Sequence, residues 1–469
     1  MSLYTYTYHP KAPIRHQRSH LGCLMALLMA CCSPIVLASS GYQPELVPGI
    51  GFFVSNAQLS AEQAVVIRNA NILTGTNDEL ERTDLLIIKG RIARIGAALK
   101  TPANTLEIDG SDKWLTPGLI DLGFGFPDLD TEAAPALYWP MPDINNYRSE
   151  QIRALSGGVT TLLYRLFRPH DQITDALSYF SLAVPIHNVP YEGIKASAIA
   201  GVPPVLSMRC PSSSLGWHQL RQLLRQAKDY ANGQHAHINE DLNLLAGAMR
   251  GELGLHLNCS SRDALLLALD VAQYFGLTFQ AMTEASEAYK IISQLVQRNI
   301  CTSLTVGQNQ MNRSDTGELK ETNVLAISLI TRASGRKSCT AVQSGGSEDF
   351  GQLHLLAGRA QAQANSIGIH TPPRQAIAWL TSIPAKILGI DEYLGSIERG
   401  KLANLVLWSG NPFSTFTRAE KVLLGGRLVW DLQQGGNLFE LDQNARARIV
   451  RTTSASNPQP DNTQALPKP

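Results

Sequence analysis

The stretch that decides the fold reads Leu115-Thr116-Pro117-Gly118-Leu119-Ile120-Asp121-Leu122-Gly123-Phe124-Gly125-Phe126. Pro117 fixes its own φ and Gly118 tolerates conformations that other residues avoid, so the pair reads as a turn between two structural regions. Leu119 to Leu122 is a short apolar run of the kind that forms a buried strand. Gly123 and Gly125 follow, at the end where such a strand would present side chains. Neither offers a donor to a metal or a proton to a substrate.

Working outward, the segment before this stretch is β-rich. Val66 to Ala70 and Asp84 to Ile95 alternate β-branched and polar residues, and Gly90 marks a turn inside the second run. The far end carries a matching piece: Ala403 to Trp408, then Lys421 to Trp430 with Gly425-Gly426 between its halves. These ends predict one small β-sandwich domain assembled from residues 45–116 and 394–440. Between them, short apolar runs at 159–163, 205–208, 253–257, 277–281, 302–306 and 339–342 alternate with helical patterns such as Leu265, Leu266, Leu269 and Ala272. Repeated β-then-α units predict an α/β class with a parallel sheet, and enough of them to close a TIM-like (β/α)8 barrel over residues 117–393. The third strand has no clear signature.

At 469 residues the chain is long enough for a large domain plus an accessory one. Charged residues make up 17%, below the ~25% of typical globular proteins, and net charge is +1 with no long charged block. That balance gives no reason to expect a nucleic-acid partner. Lys11, Arg15 and Arg18 precede the apolar run Leu21 to Ala30, and Val36-Leu37-Ala38 closes the segment, the order of a secretory signal over residues 1–38. Leu28-Met29-Ala30-Cys31 is similar to a bacterial lipobox that would place a lipid on Cys31. Periplasmic and lipid-anchored forms both stay open. Residues 441–469 read as a disordered tail. Of the seven cysteines, Cys210, Cys259, Cys301 and Cys339 lie in the body with no Cys-x-x-Cys spacing, so buried thiols and no essential bridge are expected.

Four segments together carry a family resemblance: Trp114 to Asp121, Gly157 to Thr161, Thr381 to Gly389, and Leu394 to Val406. In this order and spacing they resemble the amidohydrolase superfamily, in its imidazolonepropionase-like branch, across residues 64 to 432. The resemblance implies metal-dependent hydrolysis of C–N bonds at the C-terminal ends of barrel strands. There, one or two divalent ions such as zinc, held by His, a carboxylate or carboxylated Lys, and Asp, activate a water.

Five of the implied ligand slots have changed. Gly123 and Gly125 stand where the His-x-His pair belongs, Asn258 and Glu284 where the fifth- and sixth-strand His belong, and Gly345 where the catalytic Asp belongs. Lys195 is the nearest lysine to the fourth-strand slot, which has no firm placement. Asn258 and Glu284 alone are too few donors for the family's centre, so no metal cofactor is expected. His235-Ala236-His237 reads as a solvated loop pair, because no third ligand spacing accompanies it.

Two residues stay in view as catalytic candidates. His256 shares a strand face with Asn258, and Glu284 at a strand end is a candidate acid or base. A mononuclear His256, Asn258, Glu284 site is the metal variant of that idea. Cys259 points away from His256, which argues against a thiol–imidazole pair. Gly345-Gly346-Ser347 is a weak anion-cradle signal. The resemblance with its lost slots, together with the N-terminal signal, implies an exported pseudoenzyme, acting as partner subunit to an active paralogue, as a homo-oligomer, or as binder of a small amide-like ligand. The alternative is an active hydrolase with a divergent site.

Overall fold

Alternation of β-branched and polar residues gives β1 (Val65–Leu73), β2 (Glu79–Ile88) and β3 (Arg91–Gly96), an antiparallel set whose second turn is Lys89-Gly90. The computed structural model describes residues 63–123, 148–167, 177–185, 205–232, 240–306, 322–335, 339–345, 349–434 and 436–437. The signal and lipobox with Cys31, Gly125, Lys195, the His235–His237 string, Gly346-Ser347 and the tail lie outside these residues.

Strands β4 (Leu106–Asp109) and β5 (Trp114–Pro117) both run parallel to β1. From the other end of the chain come β14 (Leu405–Trp408), β15 (Ala419–Leu424), β16 (Arg427–Asp431) and β17 (Gly436–Asn437). Because β14 pairs antiparallel with β5, the two ends make one nine-stranded sheet. Its core contains Ile67, Ile72, Leu85, Ile87, Leu115, Leu405 and Leu407, contributed by both ends.

Immediately beyond Pro117 the chain enters a second sheet. Its eight strands lie in chain order: β6 (Leu119–Asp121), β7 (Val159–Phe167), β8 (Leu177–Pro185), β9 (Val205–Arg209), β10 (Gly254–Asn258), β11 (Ala281–Thr283), β12 (Cys301–Thr305) and β13 (Thr340–Gln343). Helices α1 (Arg148–Ser156), α2 (Ser214–Ala231), α3 (Glu240–Met249), α4 (Arg262–Phe275), α5 (Ile292–Gln297) and α6 (Thr322–Ser334) intervene, and α7 (Leu353–Ser366), α8 (Pro373–Ala376) and α9 (Ser382–Leu388) follow. Apolar residues on one strand face, among them Leu206, Leu255, Leu257, Met282, Leu304 and Val342, pack with the helices. Val205, Ala281, Cys301 and Ala341 join Ile120 and Leu122 and the α9 residues Ile387 and Leu388 in a separate cluster.

Two features depart from the expected pattern. The obscure third strand is β8, and it runs antiparallel to both neighbours, so the sheet is not uniformly parallel. Only nine residues separate β7 from β8, too few for the crossover that a parallel pair requires. The sixth strand also starts later than the apolar run suggested, at Ala281 rather than Leu277.

The expectation of unbridged thiols is overturned. Cys210 pairs with Cys259, and Cys301 with Cys339. The physical reason is register. Arg209 lies opposite Asn258, which places the next residues, the two cysteines, side by side. Thr302 lies opposite Thr340, which does the same for the residues before them. Sequence separations of 49 and 38 residues carry no hint of this.

The two sheets meet around Trp408. Its Nε1 donates to Thr116 Oγ1 at 2.9 Å, and its ring edge sits so close to Gly158 that a Cβ there would lie 2.7 Å away. Gly158, at φ +77°, ends α1 and redirects the chain into β7. The α7 residue His354 lies 4.9 Å from Trp408 between ring centroids and is 6% exposed. Burial, aided by the Arg418 charge and opposed by a hydrogen bond to the Gly157 backbone, pushes its pKa down to about 4.

Two outcomes follow for stability. A native pKa below the unfolded value means that the unfolded chain binds more protons between about pH 4 and 6.5, so stability rises with pH across that window. Acidification should remove about 3 kcal/mol through His354, and urea titrations of His354→Gln should show a flatter pH dependence over the same range. Replacing Cys301 and Cys339 together by Ala should cost about 2–4 kcal/mol by the same measurement, from the loop they close.

Candidate functional site

Asp121 ends β6 as a fully buried carboxylate. Its Oδ1 accepts from the Gly123 backbone N–H at 2.9 Å and the Ser344 backbone N–H at 3.0 Å, and its Oδ2 accepts from Ser344 Oγ at 2.5 Å. Ser344 directly follows β13. The first and last strands of the second sheet are thus joined through one side chain, with no ladder between them in the strand order.

That junction determines what position 123 can hold. A Cβ built on Gly123 would overlap the Ser344 carbonyl oxygen and lie 3.0 Å from its carbonyl carbon. The obstacle is backbone, which cannot swing aside as a side chain would. Position 123 therefore carries no donor side chain and is closed to one by the Ser344 backbone.

Next to this junction a second polar cluster spans three strands. Thr305 Oγ1 donates to Glu284 Oε1 at 2.5 Å, and Gln343 Nε2 donates to the same oxygen at 2.7 Å. Ser303 Oγ in turn donates to Gln343 Oε1 at 2.6 Å. Ser303 and Gln343 are fully buried and Glu284 is half-buried. Glu284 takes a left-handed backbone, φ +53°, immediately after β11, which turns its carboxylate onto the ends of β12 and β13.

The expected residues come together only in part. Asn258 ends β10, in register with Thr283, the residue before Glu284. His256 lies two residues deeper on the same strand and is 1% exposed. Gly345 is exposed just beyond Ser344. Cys259 is buried in its disulfide, which removes the thiol as a nucleophile. Among the described residues no three His, Cys, Asp or Glu side chains come together as a metal-binding group. Gly123, Asn258, Glu284 and Gly345 supply one carboxylate and one amide, and Glu284 Oε1 is already taken by two donors. This donor set does not fit the metal centre that the resemblance implies.

Nearby, Glu287 caps α4: its Oε2 accepts from the Arg262 backbone N–H at 2.6 Å and its Oε1 binds Lys290 at 2.9 Å. Burial alone would raise the Glu287 carboxyl, but these two donors outweigh it and hold it below the usual carboxylate range. Sequence reasoning did not single out Asp121, Ser303, Thr305, Gln343 or Ser344 as site residues. Asp121 and the Gln343-Ser344 pair had one visible signal, their place within two residues of Gly123 and Gly345.

This architecture has counterparts among solved structures. An amidohydrolase from Thermotoga maritima MSB8 superposes with a TM-score of 0.62 at 20% identity, covering 78% of this chain and 100% of its own. A molinate hydrolase gives a TM-score of 0.49 at 17% identity over 86% and 99%. At such identities the first likeness shows the fold. Residues 209–429, a little under half of the chain, match the amidohydrolase family.

The closed slot makes a measurable prediction. Gly123→Ala should destabilise the protein by about 1–3 kcal/mol or more, as overpacking against backbone does. Gly345→Ala, at an exposed position, should stay within about 0.5 kcal/mol. Chemical denaturation of the two variants side by side checks the contrast.

Proposed function

We propose that this protein is an exported member of the amidohydrolase superfamily whose barrel has lost the metal centre, a pseudoenzyme that binds a small ligand at the barrel mouth. The single observation that carries the reading is the closure at Gly123, where the Ser344 backbone occupies the space of a ligand side chain. The engagement of Glu284 by Thr305 and Gln343 supports it. On this reading the second sheet closes as the barrel, with Asp121 joining its first and last strands, and the nine-stranded sheet is the composite β domain. Partnership with an active paralogue or a second copy is a further role open to such a protein.

Export is part of the same proposal. The charged, apolar and small-residue order of the N-terminus supports it, with Cys31 as a candidate lipid site. The two disulfides join in that support, because such bonds persist in oxidising compartments.

The rival reading, a working hydrolase of C–N bonds, would rest on Glu284 and His256. Purified protein should carry less than a stoichiometric amount of zinc, manganese or iron, and should show no turnover of N-acyl amino acids, dipeptides or aryl amides. Turnover that tracks bound metal and disappears in Glu284→Gln would overturn the proposal.

A further inference from the structure

Among the charges at the C-terminal ends of β9, β10 and β11, most are already paired. Glu287 is bound by Lys290 and the Arg262 N–H, and Arg262 bonds Asp263 at 3.0 Å. Two groups differ. Arg209, the last residue of β9, is exposed and makes no side-chain hydrogen bond or ion pair with any described residue. Glu284 spends Oε1 on Thr305 and Gln343, while none of its described hydrogen bonds uses Oε2.

These groups are arranged in a row. Arg209 lies opposite Asn258, and Asn258 lies opposite Thr283, the neighbour of Glu284. Leu206 and Met208 pack toward the helices, so alternation puts Arg209 on the opposite face, shared with Asn258. The Asn258 side chain likewise makes no described hydrogen bond. Two strand spacings, about 10 Å, separate the backbone of Arg209 from that of Thr283. The Cys210–Cys259 disulfide, one residue beyond the row, fixes the ends of β9 and β10 against each other.

We infer that Arg209, Asn258 and Glu284 form a subsite for a zwitterion, a small molecule carrying both a carboxylate and an ammonium group. This deepens, and rests on, the reading of the protein as a small-ligand binder. The guanidinium takes the carboxylate as a bidentate pair, and Glu284 Oε2 accepts from the ammonium. Asn258 between them can donate to one end and accept from the other. The charges also select against other ligands. One cation beside one anion neutralises a zwitterion, whereas a dianion such as phosphate would meet a single guanidinium and the Glu284 charge. Glu284 is held in place by its other oxygen before any ligand arrives, which lowers the ordering cost of binding.

Calorimetric titration of the purified mature chain with L-leucine, N-acetyl-L-leucine and L-leucine methyl ester tests this directly. L-Leucine should bind, and each blocked compound should bind about tenfold or more weakly, the loss of one charged contact. Arg209→Gln should lose L-leucine binding at an unchanged melting temperature. Glu284→Gln, which keeps both acceptor contacts to Thr305 and Gln343, should weaken L-leucine but not N-acetyl-L-leucine. Failure of L-leucine to bind at about 10 mM, or equal binding of the N-acetyl compound, overturns the subsite. The broader pseudoenzyme reading is decided separately, by the metal and turnover measurements, so the two can fail independently.

Discussion

The Asp121 carboxylate is the interaction on which the arrangement depends. Its oxygens gather two backbone N–H groups and one hydroxyl from the two outer strands of the second sheet. A fully buried charge is costly unless it is hydrogen-bonded, and three donors meet that requirement here. Satisfying it brings the end of β6 and the segment after β13 within reach of each other. It also presses the Ser344 backbone onto Gly123, so the same contact that unites the strands leaves no room for a side chain at that position. Removing the carboxylate would leave two buried N–H groups without this acceptor.

Beside it, the Glu284 cluster ties together the ends of three neighbouring strands. Thr305, Gln343 and Ser303 have no place in a metal-binding set, yet each puts a donor where it satisfies a neighbour. The result is a polar network inside the strand ends, in which a Glu, two hydroxyls and an amide satisfy one another. Such networks stabilise only when nearly complete, and one Glu284 oxygen and the Asn258 amide remain the open places in this one.

Much of this was legible in the sequence, and the rest was hidden for physical reasons. Hydrophobic alternation placed β1 to β3 and β14 to β16, because a half-buried sheet writes its period into the chain. The glycine at 123 was visible as a position without a donor, though only the fold shows that Ser344 fills the space beside it. The direction of β8 and the pairing of Cys210 with Cys259 were not readable, since both depend on which strand lies beside which. Arg209 stayed unnoticed because a strand-ending arginine looks like any solvated charge until its neighbours across the sheet are known. His354 likewise became informative only once Trp408 and Gly157 were seen to enclose it.

The two disulfides have a consequence for assembly. Each links a cysteine to the next one along the chain, Cys210 to Cys259 and Cys301 to Cys339. Four cysteines allow three pairings, and this is the one that needs no cysteine to wait past another. A chain that emerges from its N-terminal end can complete the first bridge before Cys301 has appeared. Domains tend to fold in that order during synthesis. The covalent pattern therefore follows the direction of the chain.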